Sequence, residues 1–347
     1  MTENQALPRV SVVVCTYNDE AFIGECVEAL LAQTYPGDLL ELIVVDDGST
    51  DGTPGILAAH APAVRCLRQR NRGPSAARNL GIVNATGEIV CFTDADCRAA
   101  PDWVARLVSA HRRLASPHCC AVGGRQRGHP DDPPFGRRVD RFLAAVGFIG
   151  DYVKPHERLR RVGHNASCNA SYRRDALVEA GGFREGMFPG EDVDLDRRLA
   201  DRGWTIWFAP DAVVCHHRPK DWAELRRMLL SYGRASADNV CIHGFFRGIQ
   251  LVPPAAAAAL AAAAGMLAAG KAAWLLAAVV PGGLGLGILA LRTRIGVLRT
   301  AAFSGAAVLF FSAAFWVRMA ANRLRPPFDM RRSIDPLTPG RSDTHGS

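Results

Sequence analysis

From Val10 to about residue 122 the chain alternates short β-branched runs with stretches where apolar residues recur every three or four positions. Val10-Ser-Val-Val-Val-Cys15 predicts a strand buried on both faces. Ile23, Val27, Leu30 and Leu31 follow at helical spacing; Leu42-Ile-Val-Val45 is the next strand, stopped by Asp46-Asp-Gly-Ser49. A third strand is read at Val64 to Leu67, with a helix opening at Gly73-Pro-Ser75 and reaching about Ala85. Ile89-Val-Cys-Phe92 predicts a fourth strand ending at Thr93-Asp-Ala-Asp96, and a helix from Asp102 carries Trp103, Leu107 and Leu114 on one side. This alternation predicts an α/β domain around a mostly parallel sheet with right-handed crossovers.

The regularity breaks at residues 123–165, which are rich in Gly, Pro, Arg and His and read as a long irregular connection. Strand signals return at Ala166 to Tyr172, Thr205 to Phe208 and Ala212 to Cys215, with a helix from Asp192 to Arg202. Asp221 to Tyr232 is amphipathic, and its face of Trp222, Leu225, Leu229 and Tyr232 either packs on the domain or lies in a membrane surface. Three uncharged stretches come next, Leu251–Gly270, Ala272–Leu291 and Thr300–Val317. Each has roughly the length needed to cross a hydrocarbon core of about 30 Å. The third holds Val308-Leu-Phe-Phe311 and Phe315-Trp316 with no polar face, which argues against a soluble helical domain. The expected organisation is a cytoplasmic catalytic domain over 1–220, a helical linker over 221–250, two to three transmembrane helices over 251–318, and a basic disordered tail over 319–347.

Charge sharpens this picture. From Arg292 onward nine arginines face three aspartates, so this region carries +6 of the formal +7 and the preceding chain is almost neutral. Basic residues flanking apolar segments suit membrane phosphates and argue against a nucleic-acid partner. If all three segments span, the arginine-rich tail ends outside, against the positive-inside rule; if the alanine-dominated first segment stays at the interface, the tail returns inside but Arg292, Arg294 and Arg299 face out. Both topologies stay open. The ten cysteines include no C-x-x-C pair, and the polar stretch Met1 to Arg9 lacks the apolar core of a signal peptide, so a reducing cytoplasmic compartment is expected. Cys15 and Cys91 lie in apolar runs as small hydrophobes, and adjacent Cys119 and Cys120 beside His118 lack the second ligand pair of a zinc site.

In open α/β sheets ligands bind beyond the carboxyl ends of the strands. Cys15-Thr-Tyr-Asn18, Asp46-Asp-Gly-Ser49 and Asp94-Ala-Asp96 stand at three such ends. Gathering carboxylates at one edge is costly unless something cationic or hydrogen-bonding compensates, and hard oxygen ligands suit Mg2+ or Mn2+ held together with a nucleotide diphosphate. Neither a P-loop nor a G-x-G-x-x-G after the first strand is present. Each motif alone also has a plain reading. The Asp46–Thr53 stretch fits a turn with a helix cap, Asp94-Ala-Asp96 a solvated loop, Glu191-Asp192 a helix N-terminus, and His216-His217 a surface pair.

Their order carries more. Val10-Ser-Val-Val-Val-Cys-Thr-Tyr-Asn18, Val45-Asp-Asp-Gly-Ser-Thr-Asp-Gly-Thr53, Asn71-Arg-Gly-Pro-Ser-Ala-Ala-Arg-Asn79, Phe92-Thr-Asp-Ala-Asp96, Cys168-Asn-Ala-Ser-Tyr-Arg-Arg174 and Gly190-Glu-Asp-Val-Asp-Leu195 resemble the motifs of family 2 glycosyltransferases of the GT-A fold, over about residues 8–218. The resemblance implies that Tyr17 and Asp47 contact the nucleobase, with Thr16 and Arg78 assisting donor binding. It implies Asp94 near the ribose, Asp96 as metal ligand, and His216 completing the metal or phosphate shell, with His217 as the competing choice. Asp192 becomes the general base, Glu191 its companion at the acceptor pocket, and Asn169 stands where the family holds donor sugar or acceptor. The implied reaction is an inverting transfer from a nucleotide-diphosphate sugar, dependent on Mn2+ or Mg2+. The Gln-x-x-Arg-Trp motif of processive synthases is missing, with Asp201-Arg-Gly-Trp204 a partial echo, so single-sugar addition is expected. A lipid-linked saccharide or glycolipid acceptor at the inner membrane, in exopolysaccharide or cell-envelope assembly, is the expected setting. A polyprenyl-phosphate sugar synthase and a non-catalytic scaffold subunit are the alternatives.

Overall fold

Val12, Val14, Ile23, Val27, Trp103 and Leu107 gather in one apolar cluster, while Val13, Ile43, Val45, Ile82, Phe92, Leu195 and Leu199 gather in another. Successive strand residues point to opposite faces, so an unbroken apolar run such as Val12-Val13-Val14 serves both. The structure is a computed structural model and describes residues 6–114, 116–146, 157–269, 284–324 and 337.

The sheet begins as a series of strand–helix units: β1 Val10–Thr16, α1 Ile23–Leu31, β2 Leu40–Asp46, α2 Thr53–Ala59, β3 Arg65–Arg68, α3 Pro74–Asn84 and β4 Ile89–Asp94. It continues with β5 Cys97–Ala99, α4 Trp103–Leu114, β6 Cys119–Gly128, α5 Pro134–Val146, β7 Arg160–Val162, β8 Ala170–Arg173, α6 Arg174–Ala180, α7 Glu191–Asp201 and β9 Thr205–His216. The strand order is β3-β2-β1-β4-β8-β6-β9-β5, with β7 paired to β9. Parallel pairing holds from β3 to β4; β8 then runs antiparallel to β4 and β6, and β5 and β7 run antiparallel to β9. The sheet is therefore mixed, and the mostly parallel expectation describes its first half.

Other expectations shift for local reasons. Residues 123–165 are not irregular throughout, because β6 runs to Gly128 and α5 comes after it, burying Val139, Phe142 and Leu143. The two strands read near Thr205 and Ala212 are one. Within β9, Ile206–Phe208 pairs with β7 and Val214–His216 pairs with β5, while Pro210, which has no N–H to donate, lies between the two pairings. The strand read from Ala166 starts at Ala170, after a 3-10 turn over Ser167–Asn169. Cys119 and Cys120 enter opposite apolar clusters.

The described residues divide into two compact units, those within 6–127, 157–216 and 337, and those within 128–146, 217–269 and 284–324. The second unit is helical. It contains α5, α8 Trp222–His243, α9 Val252–Ala268, α10 Leu284–Thr293 and α11 Val297–Leu324. Leu225 and Leu229 of α8 pack with Phe142 of α5 and Phe303 of α11, so the amphipathic face turns into this unit. Arg318 donates to both oxygens of Asp238 at 2.7 and 2.9 Å, and Asn322 adds a bond of 2.6 Å, tying α11 to α8. Among the described residues two helices, Gly248–Ala268 and Val297–Leu324, are long and apolar enough to cross a membrane. The first is 6% buried over its apolar window and the second 39%, so α11 doubles as the packing centre of the unit. Most of the second apolar stretch and of the basic tail lies outside the described residues.

Candidate active site

Strand register brings the polar ends together. Thr16 lies opposite Asp46 and Cys15 opposite Asp94, so the carboxyl ends of β1, β2 and β4 share one level. The loops after β1 and β2 are stitched to each other. The Asn18 amide donates to Ser49 Oγ at 2.9 Å and the Thr50 amide donates to Asn18 Oδ1 at 2.8 Å. Asn18 adopts φ 58°, a left-handed conformation asparagine tolerates. Thr16 is buried and donates to Asp19 at 3.0 Å, leaving Tyr17, 46% exposed, as the large side chain displayed at this end.

Asp46 and Asp47 are both buried. Asp46 accepts from Arg68 at 2.7 Å and from the Ser49 amide at 2.8 Å. Asp47 accepts from Gln69 at 2.6 Å and from the Arg72 and Gly73 amides at 2.9 and 2.8 Å. It thereby fixes the loop leading into α3. Gly48, next in the chain, has φ 85°, and a Cβ there would stand 2.9 Å from the Asn71 nitrogen, so only glycine fits.

Asp94 and Asp96 differ. Their side chains are 32% and 33% exposed. Antiparallel pairing of β5 with β9 carries His216 to them, and His216 Nε2 lies 3.6 Å from Asp96 Oδ1. One ligand atom each from Asp94, Asp96 and His216 lies within 4.8 Å of the others. His216 Nδ1 is buried without a hydrogen-bond partner. Two hard carboxylates with an imidazole suit a divalent cation such as Mn2+ or Mg2+.

Arg78 of α3 joins this rim to α7. Its guanidinium, 4% exposed, meets Asp94 Oδ1 at 2.9 Å and Glu191 Oε1 at 2.5 Å, above the Phe183 ring. Gly190, at φ 101°, turns the chain into α7 and sets Glu191 and Asp192 in its first turn, where the helix dipole favours negative charge. Burial raises the Glu191 carboxyl to about 7, with Arg78 opposing. Asp192 accepts from the Ser167 amide at 3.1 Å.

The sequence profile described as Glycosyl transferase family 2 matches residues 11–181. Glycosyltransferase AglE of Haloferax volcanii is 31% identical over 215 residues, which cover 60% of this chain and 67% of AglE. This chain belongs to the family 2 glycosyltransferases. The glucosyl-dolichyl phosphate glucuronosyltransferase of the same organism is 35% identical over 50% of this chain, which spans 56% of that relative's length. Among solved structures, the mannosyltransferase PcManGT from Pyrobaculum calidifontis, in complex with GDP-Man and Mn2+, aligns at TM-score 0.60 and 28% identity, covering 92% of this chain and 88% of that one. The catalytic fold is GT-A.

Within this family 2 chain the neighbouring histidines part. His216 stands with the acids, while His217 bonds Asp132 at 3.1 Å and stacks on His129. Asn169 is 1% exposed, and its amide serves the protein. It accepts from Trp103 at 2.8 Å and donates to the carbonyls of Arg125 and Ala212 at 3.0 and 3.1 Å.

Sequence reasoning passed over a second group. His164 Nδ1 bonds Asp196 at 2.9 Å, and its Nε2 lies 3.9 Å from Asp192 Oδ2. Tyr172 donates to Asp196 at 2.9 Å. The i,i+4 spacing of Asp192 and Asp196 on α7 signalled a shared face. His164 lay in the segment without periodicity and carried no signal.

Proposed function

We propose that this family 2 glycosyltransferase uses Mn2+ or Mg2+ to transfer a single sugar, with inversion, from a nucleotide-diphosphate sugar to a hydroxyl of a lipid-linked saccharide or glycolipid. The observation that carries the reading is the convergence of Asp94, Asp96 and His216 donor atoms within 4.8 Å, linked through Arg78 to the first turn of α7. Asp96 and His216 would hold the cation, and Asp94, expected near the ribose, stands close enough to join them; the cation's chemistry is Lewis-acid neutralisation of charge developing on the departing diphosphate. In the same reading Tyr17 stacks on the nucleobase, while Thr16, Asp47 and Arg78, expected to touch the donor, are buried and bonded within the protein, so that Thr16 and Asp47 hold the loops that shape its pocket and Arg78 keeps the donor rim in place. Asn169 fixes Trp103 and β6 behind the sugar.

Asp192 takes the proton from the acceptor hydroxyl, whose oxygen attacks the anomeric carbon opposite the leaving diphosphate. The Ser167 amide holds the Asp192 carboxylate, with His164, fixed by Asp196, standing 3.9 Å away as its charge partner, and Glu191, buried beside it, anchors Arg78 behind the acceptor side. A phosphate acceptor is already an anion and needs no base, so the Asp192 arrangement supports a hydroxyl acceptor over direct polyprenyl-phosphate glycosylation. The lipid setting is supported by the two membrane-length helices and by the dolichyl-linked substrate in a relative's name. It gives a membrane enzyme with residues 1–220 on the cytoplasmic side and 251–318 in the bilayer, serving polysaccharide or cell-envelope assembly.

The test uses the full chain in detergent with Mn2+ and a panel of nucleotide sugars, reading nucleoside diphosphate release and sugar transfer to a membrane lipid extract. Release in the wild type and a loss of about 10²–10⁴-fold in Asp192→Asn support the reading. Activity unchanged in Asp192→Asn removes the assigned base, and inactivity across the panel favours a scaffold subunit.

A further inference from the structure

His216 has a second set of neighbours that the transfer chemistry does not use. Cys97 opens β5 directly across from His216 at the end of β9, and side chains so paired stand close together. Cys168 comes from the 3-10 turn ahead of β8. Both thiols are buried, and one ligand atom each from Cys97, Cys168 and His216 lies within 4.8 Å of the others. Cys97 Sγ is also 3.8 Å from Asp96 Oδ1.

The geometry points to a thiophilic cation site formed by Cys97, Cys168 and His216, with Asp96 as the fourth ligand. It lies against the Asp94–Asp96–His216 set and shares two residues with it. Two sulfurs, an imidazole and a carboxylate match the donors of a tetrahedral Zn2+ site, whose ligand atoms stand roughly 3.3–3.8 Å apart. Closing from within 4.8 Å needs side-chain adjustment of about an ångström. Thiolates select Zn2+ and similar ions, whereas Mn2+ and Mg2+ prefer oxygen. Binding forms two metal–sulfur bonds and releases two thiol protons to solvent. An ion there takes Asp96 and His216 from the oxygen-rich set, so zinc acts as an off-switch, an effect that rests on the metal-dependent transfer proposed above.

Cobalt titration of the full chain tests the binding without any transfer reaction. Wild-type protein is expected to give a thiolate-to-cobalt charge-transfer band in the near ultraviolet, removed by stoichiometric Zn2+ and lost in the Cys97→Ser/Cys168→Ser double variant. The pair Cys97→Ala/Cys168→Ala provides the same comparison where buried serine hydroxyls disturb folding, which circular dichroism monitors. No thiolate band, or a band that survives in the folded double variant, overturns the site. At fixed Mn2+, zinc is expected to inhibit nucleotide release by the wild type at concentrations more than about tenfold below those needed for the double variant, the lower bound for disturbing a metal's ligand shell. Equal sensitivity overturns the shared-ligand switch, and a wild type with the cobalt band but no transfer activity retains the site while removing the proposed function.

Discussion

Asp46-Asp47 after β2 and Asp94-Ala-Asp96 after β4 begin alike, as acids ending an apolar parallel strand, and finish as opposites. The first pair is sealed in, its oxygens taken by Arg68, Gln69 and three backbone amides. The second is a third exposed and grouped with a histidine. The difference comes from the path of the chain beyond each pair. After β2 the chain curls back through Gly48 and folds a loop over the acids. After β4 the chain turns at once into β5, whose antiparallel partner β9 delivers His216. Similar acidic motifs thus build a wall in one place and a ligand rim in the other.

That contrast can be broken by mutation. Asp96→Ala is expected to lower kcat for nucleotide release by about 10²–10³-fold, the size of a lost transition-state charge contact, while the melting temperature stays within a degree or two of wild type. A matched fall in thermal stability would place Asp96 among the wall acids. Asp47→Ala should act in reverse. It leaves the Arg72 and Gly73 amides without their acceptor, so urea denaturation should show a loss of about 1–3 kcal/mol. Unchanged stability there would mean that the loop holds without its anchor.

The smallest expected effect concerns Glu191. Its carboxyl, raised from 4.5 to about 7 chiefly by burial, holds its proton more tightly folded than unfolded. The stability it contributes is complete below 4.5 and is lost as pH rises to about 7. Glu191→Gln removes this dependence. Between about pH 5 and pH 7.5 the variant should therefore lose less stability than wild type, by on the order of 1 kcal/mol. Equal slopes would show that Arg78 keeps Glu191 ionised throughout.

How far the sequence could be read obeys the same division. β1, β2 and β4 are sandwiched between helices, so they appear as unbroken apolar runs, and the acids after them were visible for that reason. The antiparallel half hides itself. β5 is Cys-Arg-Ala and β7 is Arg-Arg-Val, three residues each and too short for any period to emerge. In α5 the spacing of Val139, Phe142 and Leu143 was present but crowded by Arg137, Arg138 and Arg141. Cys97, Cys168 and His216 lie far apart along the chain, and only β5–β9 pairing and the turn before β8 make them neighbours. His164 is likewise brought to Asp192 by tertiary structure alone.

Arg78 leaves one more consequence. A flat guanidinium presents two donors side by side, and here each holds a different carboxylate, one at the end of a strand and one at the start of a helix. A lysine keeps the charge but offers a single point that cannot straddle both, so Arg78→Lys should behave as a severed joint rather than a conservative exchange. A shift of either acid pulls on the other through this one cross-brace, so the end of β4 and the start of α7 move as a single body.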